Sequence, residues 1–183
     1  MSFIIAGKHR GRKIRSNNNI RPTMSKVREA VFNILGSRMD LLSGFVVADL
    51  FCGSGSMSLE AISRGAEHVF MLDNDQKCLA TAWDNINSIN ANEKVTIINH
   101  NMTHKITSVD RKCDVFFIDP PYKANILPMV LDNFANTHIC GKDSLIILEL
   151  SKKKDLQISD AYKLIDQRRY GATKIIILQA NWL

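Results

Sequence analysis

An acid, two prolines and a tyrosine, Asp119-Pro120-Pro121-Tyr122, follow directly on the apolar run 115–118. Each proline fixes its own φ near −65°, lacks a backbone N–H and pushes the residue before it towards extended geometry. The strand exit is therefore stiff, with a carboxylate at its start, carbonyl oxygens free of competing donors and a flat ring at its end. An amine on an aromatic base has two hydrogens and a delocalised lone pair. The Asp119 carboxylate and the Pro120 carbonyl can accept both hydrogens, favour a pyramidal nitrogen and turn its lone pair towards an electrophilic carbon. Tyr122 offers a stacking surface for a base taken out of its helix. Asp119, Pro120, Pro121 and Tyr122 are thus the catalytic candidates, with alignment and exclusion of water as the main sources of rate.

The electrophile is read from three other turns. In "DLFCGSGSMSLE", residues 49–60, an acid precedes Gly53 and Gly55, where backbone can pass close to a ligand, and then a helix begins. Position 58 is Ser, so the G-x-G-x-x-G spacing is broken, and no G-K-[ST] follows. A pyrophosphate is disfavoured, and Asp49 would repel one, whereas it can accept hydrogen bonds from an ammonium. "LDND", residues 72–75, places Asp73 to take ribose hydroxyls and Asp75 to cap the next helix. "NHNM", residues 99–102, can read an adenine edge, with Asn101 as a plain turn residue the equal alternative. A ligand with an amino acid end, a ribose and an adenine but no phosphate is S-adenosylmethionine. No His/Cys/acid cluster suggests a metal. The four cysteines, Cys52, Cys78, Cys113 and Cys140, are irregularly spaced and read as free buried thiols.

These turns need a parallel sheet to bring them together. Nearly all-apolar strands at 45–50, 68–73, 95–99, 114–119 and 144–150 alternate with helices from about 57–64, 76–89 and 126–134. The second helix is expected to turn Leu79, Ala82, Trp83 and Ile86 inward. The tail supplies two more strands around Gly171. The expected fold is α/β, Rossmann-like: a mostly parallel seven-stranded sheet, helices on both faces and a C-terminal antiparallel hairpin. Ahead of it lie a short extended piece, a basic turn and a helix capped by Thr23 and closed by Gly36, with Lys26 and Arg28 facing outward. Two parts are expected: a small basic N-terminal extension, 1–38, and a catalytic domain, 39–183.

Charge separates these parts. The chain of 183 residues carries +6, but nine Lys and Arg against Glu29 alone give 1–38 a charge of +8, leaving the rest at −2. An arm for a polyanion on a nearly neutral body is the physical implication. At 45% apolar and 23% charged, with apolar runs no longer than a strand, the chain reads as a soluble cytoplasmic protein without a membrane span or signal peptide.

Taken together, "IIAGKHRGRKI", "RPTMSKVREAVFNIL", "DLFCGSGSMSLEAISRGA", "FFIDPPY" and "RRYGATKIIIL" resemble the RsmD family of class I S-adenosylmethionine-dependent methyltransferases. The resemblance implies methyl transfer to the N2 amine of a guanine in small-subunit (16S) ribosomal RNA, by a monomer acting on a partly assembled subunit. It implies a cofactor set of Asp49, Phe51, Gly53, Gly55, Asp73, Asn74, Asn101, Met102 and Asp119, with Asn101 and Met102 at the adenine. It also implies RNA contacts by Lys8, Arg10, Arg12, Lys13, Arg21, Lys26 and Arg28. Asp-Pro-Pro-Tyr also occurs in adenine-N6 methyltransferases, so the motif does not choose the base. The rivals are such an adenine enzyme, a non-catalytic RNA-binding assembly protein, for which loss of Asp119 or the glycines would be expected, and a small-molecule or protein methyltransferase, which would leave the arm unemployed. Cys52 and Met102 depart from the small residues usual there, and asparagines fill 17–19.

Overall fold

The computed structural model describes residues 2–16, 25–38, 43–121, 126–134 and 137–181. Thr23, Arg21 and Tyr122 lie outside them. Seven strands form one sheet: β3 (Val46–Leu50), β4 (His68–Asp73), β5 (Val95–Asn99), β6 (Cys113–Ile118), β7 (Cys140–Ser151), β8 (Tyr162–Tyr170) and β9 (Thr173–Ala180). Their order is β5-β4-β3-β6-β7-β9-β8. The first five pair in parallel, whereas β9 runs antiparallel between β7 and β8 and forms the expected hairpin. Order reverses at β3, which pairs with β4 on one side and β6 on the other. Crossover loops diverge at such a point and leave a crevice beyond the strand ends.

Both faces of the sheet are covered, as the apolar strands require. One face carries α1 (Ser25–Arg38), α2 (Ser56–Ser63) and α3 (Gln76–Ser88), whose Val31, Leu59 and Ile86 share a buried cluster with Val47, Phe117 and Ile147. The other face carries α4 (Leu127–Phe134) and the segment with Met102, Ile106 and Val109. Two expectations for the helices fail. Gly36 does not close α1, which runs on through it to Arg38; the glycine is solvent-exposed and no packing forces a break. Trp83 is 43% exposed, because the inward stripe of α3 is Cys78, Leu79, Ala82, Asn85 and Ile86, which leaves position 83 on its flank.

The N-terminal residues are built onto this body. Strands β1 (Ser2–Phe3) and β2 (Lys13–Ile14) pair antiparallel, and Ile4 and Ile14 join the same buried cluster as α1. The anchor is Glu60, on α2 and 0% exposed. Its carboxylate accepts the backbone N–H groups of Ile5 at 2.8 Å and Ala6 at 3.0 Å, and Nε–H of Arg64 at 2.8 Å. Beside it lies Arg28, whose Nε is 3.6 Å from Glu60, an ion pair that is too long for a hydrogen bond. Arg28 donates instead to Ser2 Oγ and, at 2.6 Å, to the Phe3 carbonyl. The expected outward, RNA-facing Arg28 is therefore corrected: it is 0% exposed. A buried carboxylate needs a counter-charge, and Arg28 supplies it from the inner side of α1.

Two further ties fix the basic turn. Gly7, at φ +79°, lies so close to the end of α2 that a Cβ there would fall 1.8 Å from the Ser63 carbonyl oxygen. Ser63 Oγ accepts the His9 N–H at 2.9 Å and donates to the Ala6 carbonyl. Glu60→Gln keeps the shape but strands the Arg28 guanidinium without a counter-charge. It is expected to destabilise the fold by about 3–5 kcal/mol, seen as a lower urea midpoint at unchanged slope.

Candidate active site

Beyond the ends of β3, β6 and β7 the crevice opens into a cleft of about 380 Å³, mouth included. Its charged lining residues among those described are Asp49, Asp119 and Glu149. Its walls are Val31 of α1, Phe51, Cys52, Ser56 and Met57 of the first loop and helix, and Phe117, Ile118, Ile147 and Ile175 of the sheet. Three carboxylates and no cation among these residues suit a positively charged ligand and oppose a pyrophosphate. A sulfonium with an ammonium on its amino acid end meets that requirement, so the residues fit S-adenosylmethionine.

The loop between β3 and α2 is held under strain. Phe51 sits at φ 102°, where a bulky side chain costs on the order of 1–3 kcal/mol. Both its N–H, at 2.9 Å, and that of Cys52, at 3.0 Å, are drawn to the Leu72 carbonyl at the end of β4. Gly53 and Gly55 follow at φ 53° and 81°. The Gly53 N–H donates to Asp73 Oδ2 at 2.9 Å, and the Asp75 N–H donates to Asp73 Oδ1 at 3.0 Å. Asp73 is thus a strut for the loop as well as a ribose candidate. Asp75 caps α3 as expected, accepting from the N–H groups of Lys77 and Cys78.

Asp49 is buried, and its carboxylate accepts the Ser58 hydroxyl at 2.6 Å. Burial pushes it up to about 6, opposed by the Ser58 hydrogen bonds and reinforced by the nearby Asp73 charge. The other candidates fall on either side. Asn74 is exposed after β4. Asn101 is also exposed and spends its side-chain oxygen on the N–H and hydroxyl of Thr103, the geometry of a turn residue. Met102 is buried in the far core cluster. Pro120 is buried and Pro121 exposed. All four cysteines are free and buried, and burial pushes the Cys140 thiol up to about 11.

Lys8, Arg10, Arg12, Lys13 and Lys26 are exposed. The end of their arm is tied to the loop between β3 and α2 through Asn85 of α3. That side chain accepts the Arg15 N–H at 2.9 Å and donates to the carbonyls of Arg15 and Ser54, each at 2.9 Å.

Residues 3–179 match the family model described as "Conserved hypothetical protein 95". The chain belongs to that family. Among its relatives, a protein of Buchnera aphidicola named "Ribosomal RNA small subunit methyltransferase D" is 32% identical over 91% of this chain and 86% of its own length. A Haemophilus influenzae protein of the same name is 28% identical over 96% of this chain and 92% of its own. The solved structure of yhhF from Escherichia coli superposes with a TM-score of 0.83 at 24% identity, covering 98% of this chain and 97% of that one, which shows a shared fold. That fold is the Rossmann-like class I methyltransferase fold.

Glu149, Val31, Ser58 and Glu60 were not picked out from the sequence. The signal for Glu149 was there: one acid at the carboxyl end of the otherwise apolar run 144–150.

The raised Asp49 has a consequence for binding. Its proton must leave before the carboxylate can pair with an ammonium, so affinity for S-adenosylmethionine is expected to be high near pH 7 and to fall, approaching tenfold per unit, as pH drops through about 6. Titration calorimetry of the wild type and of Asp49→Asn, which should bind weakly without this pH step, checks it. A flat wild-type profile down to pH 5 rejects the assignment.

Proposed function

We propose that this protein transfers a methyl group from S-adenosylmethionine to the exocyclic N2 amine of a guanine in small-subunit (16S) ribosomal RNA. The single observation that carries the reading is Asp119, at the head of a proline-stiffened turn, facing the same cleft as Asp49 and the strained loop. Relatives named as small-subunit rRNA methyltransferases supply the substrate class.

Bound S-adenosylmethionine supplies a methyl carbon made electrophilic by its sulfonium. The chain's residues do the rest by placement. Asp49 takes the ammonium, Asp73 the ribose hydroxyls, and the 51–55 loop passes along the chain between them. Asn74 and the backbone of Asn101 and Met102, whose side chains are engaged in the turn and the core, border the adenine. The Asp119 carboxylate and the Pro120 carbonyl accept the amine hydrogens, Pro121 keeps the turn extended and Tyr122 stacks on the base. With the donor bound, the nitrogen would gain the methyl carbon, the carbon–sulfur electron pair would stay on sulfur, and the nitrogen would shed one proton to the Asp119 carboxylate and from there to water. Alignment and dehydration over the apolar wall of Phe117, Ile147 and Ile175 provide the acceleration.

Residues 1–38 act as the RNA-binding extension of the 39–183 catalytic domain. Lys8, Arg10, Arg12, Lys13 and Lys26 meet phosphates, with Arg21 in the same segment, while Arg28 anchors the arm from inside. The protein works as a cytoplasmic monomer on a partly assembled subunit. Among the described residues no helix is long and apolar enough to cross a membrane.

Labelled methyl donor, incubated with unmodified small subunits, should yield N2-methylguanosine by nucleoside mass. N6-methyladenosine, or no transfer, would overturn the reading. Asp119→Ala should cut turnover by about a hundred- to a thousandfold, the range seen when one group holding a reacting centre is lost, with S-adenosylmethionine affinity within a few fold of wild type. Replacing Arg10, Arg12 and Lys13 by Ala should flatten the salt dependence of RNA binding by about 2 in log–log slope, as expected for three lost contacts to single strands. An unchanged slope would remove these residues from the phosphate interface.

A further inference from the structure

The catalytic motif holds an amine without choosing between guanine and adenine, and the cleft contains a group that can choose. β6 and β7 run parallel with Ile118 opposite Leu148, so the next residue on each strand is Asp119 and Glu149. Neighbouring strands lie about 4.8 Å apart, and both side chains line the same cleft. Strand order gives the arrangement a direction. Asp49 on β3 marks the cofactor end, Asp119 beyond β6 is central, and Glu149 on β7, with Ile175 of β9 beside it, forms the far end. Phe117, Ile147, Ile175 and Val31, all nearly fully buried, form the apolar floor beneath the acids that line the cleft.

A base whose amine is held at Asp119 extends away from the cofactor, towards Glu149. In guanine the reacting amine is flanked by N1–H, a donor, on the side of the Watson–Crick edge, and by the acceptor N3 on the other. In adenine, and in 2-aminopurine, the ring nitrogen beside the amine is a bare acceptor. We propose that Glu149 is a specificity-determining residue whose carboxylate accepts the guanine N1–H, and so admits guanine and rejects bases with a lone pair at that position. This rests on the guanine-N2 reading above. Glu149 is only 9% exposed, so a mismatched lone pair would face a carboxylate with little water to separate them.

The test uses small-subunit RNA assembled with its proteins and carrying, at the mapped target position, either guanine or 2-aminopurine, which keeps the N2 amine and lacks N1–H. Wild-type protein should prefer guanine by about 10- to 100-fold in kcat/KM. Glu149→Gln, whose amide can donate to a bare nitrogen, should lose most of that preference through slower guanine turnover and retained or faster 2-aminopurine turnover. Its affinity for S-adenosylmethionine should stay within about twofold of wild type. Equal wild-type rates on the two bases overturn the proposal without need of a variant. So does a Glu149→Gln protein that keeps the wild-type preference, or one whose cofactor affinity falls in step with its activity, which would place Glu149 at the methyl donor. Absence of any wild-type methylation of the guanine substrate instead overturns the functional reading beneath it.

Discussion

One buried carboxylate holds the two halves of this molecule in register. Glu60 sits under the junction of the N-terminal strand, α1 and α2, and takes two backbone donors from the first and an arginine from each of the helices. A charge removed from water at that point is stable only if all of these groups are in place. The position of α1 follows from the pairing. Phe32 of α1 then lies against Phe117, with ring centroids 5.5 Å apart, and Val31 becomes a wall of the cleft. An element that reads as part of a nucleic-acid-binding arm is thereby also part of the reaction chamber.

The chamber follows from the order of the sheet. Residues 49, 73 and 119 are far apart in sequence, yet each ends or follows a strand at the same edge, in the spatial order β4, β3, β6. The strand order therefore gathers these three acids, with the loop that follows β3, at one edge of the sheet. The strain at Phe51 belongs to this layout. Two amides converging on the Leu72 carbonyl pull the loop down against β4, and Asp73 holds Gly53 there. Backbone conformations this costly persist only where the surroundings impose them.

Much of this was legible in the sequence because it is local. Continuous apolar strands, the glycine loop, the Asp75 cap and the Asp-Pro-Pro turn each follow from residue type and spacing over a few positions. The failures are all tertiary. Arg28 looks like an exposed helix cation until Glu60, thirty-two positions later, is seen to need it. Trp83 looks like core until Asn85, bonded to the backbone of Arg15 and Ser54, is found holding the inward position on α3. Glu149 looks like strand until β7 is laid beside β6. In each case the deciding partner is remote in the chain, and no periodicity encodes it.

The placement of charge explains how one small chain can serve two ligands of opposite sign. Cations stand outside, on the exposed turn 8–13, where a phosphate backbone can be held while staying hydrated. Carboxylates stand inside, at Asp49, Asp119 and Glu149, where phosphate is repelled and only an uncharged base with donor groups, or a cation, is welcome. The interior set also suits the reaction. Methyl transfer from a sulfonium to an amine would leave a positive charge on the amine nitrogen until a proton departs. An acid at Asp119, lining the same cleft as Asp49 and Glu149, is suited to screen such a charge. Acids drawn this far from water are unfavourable for the empty fold and are offset only when a cation or a donor group meets them.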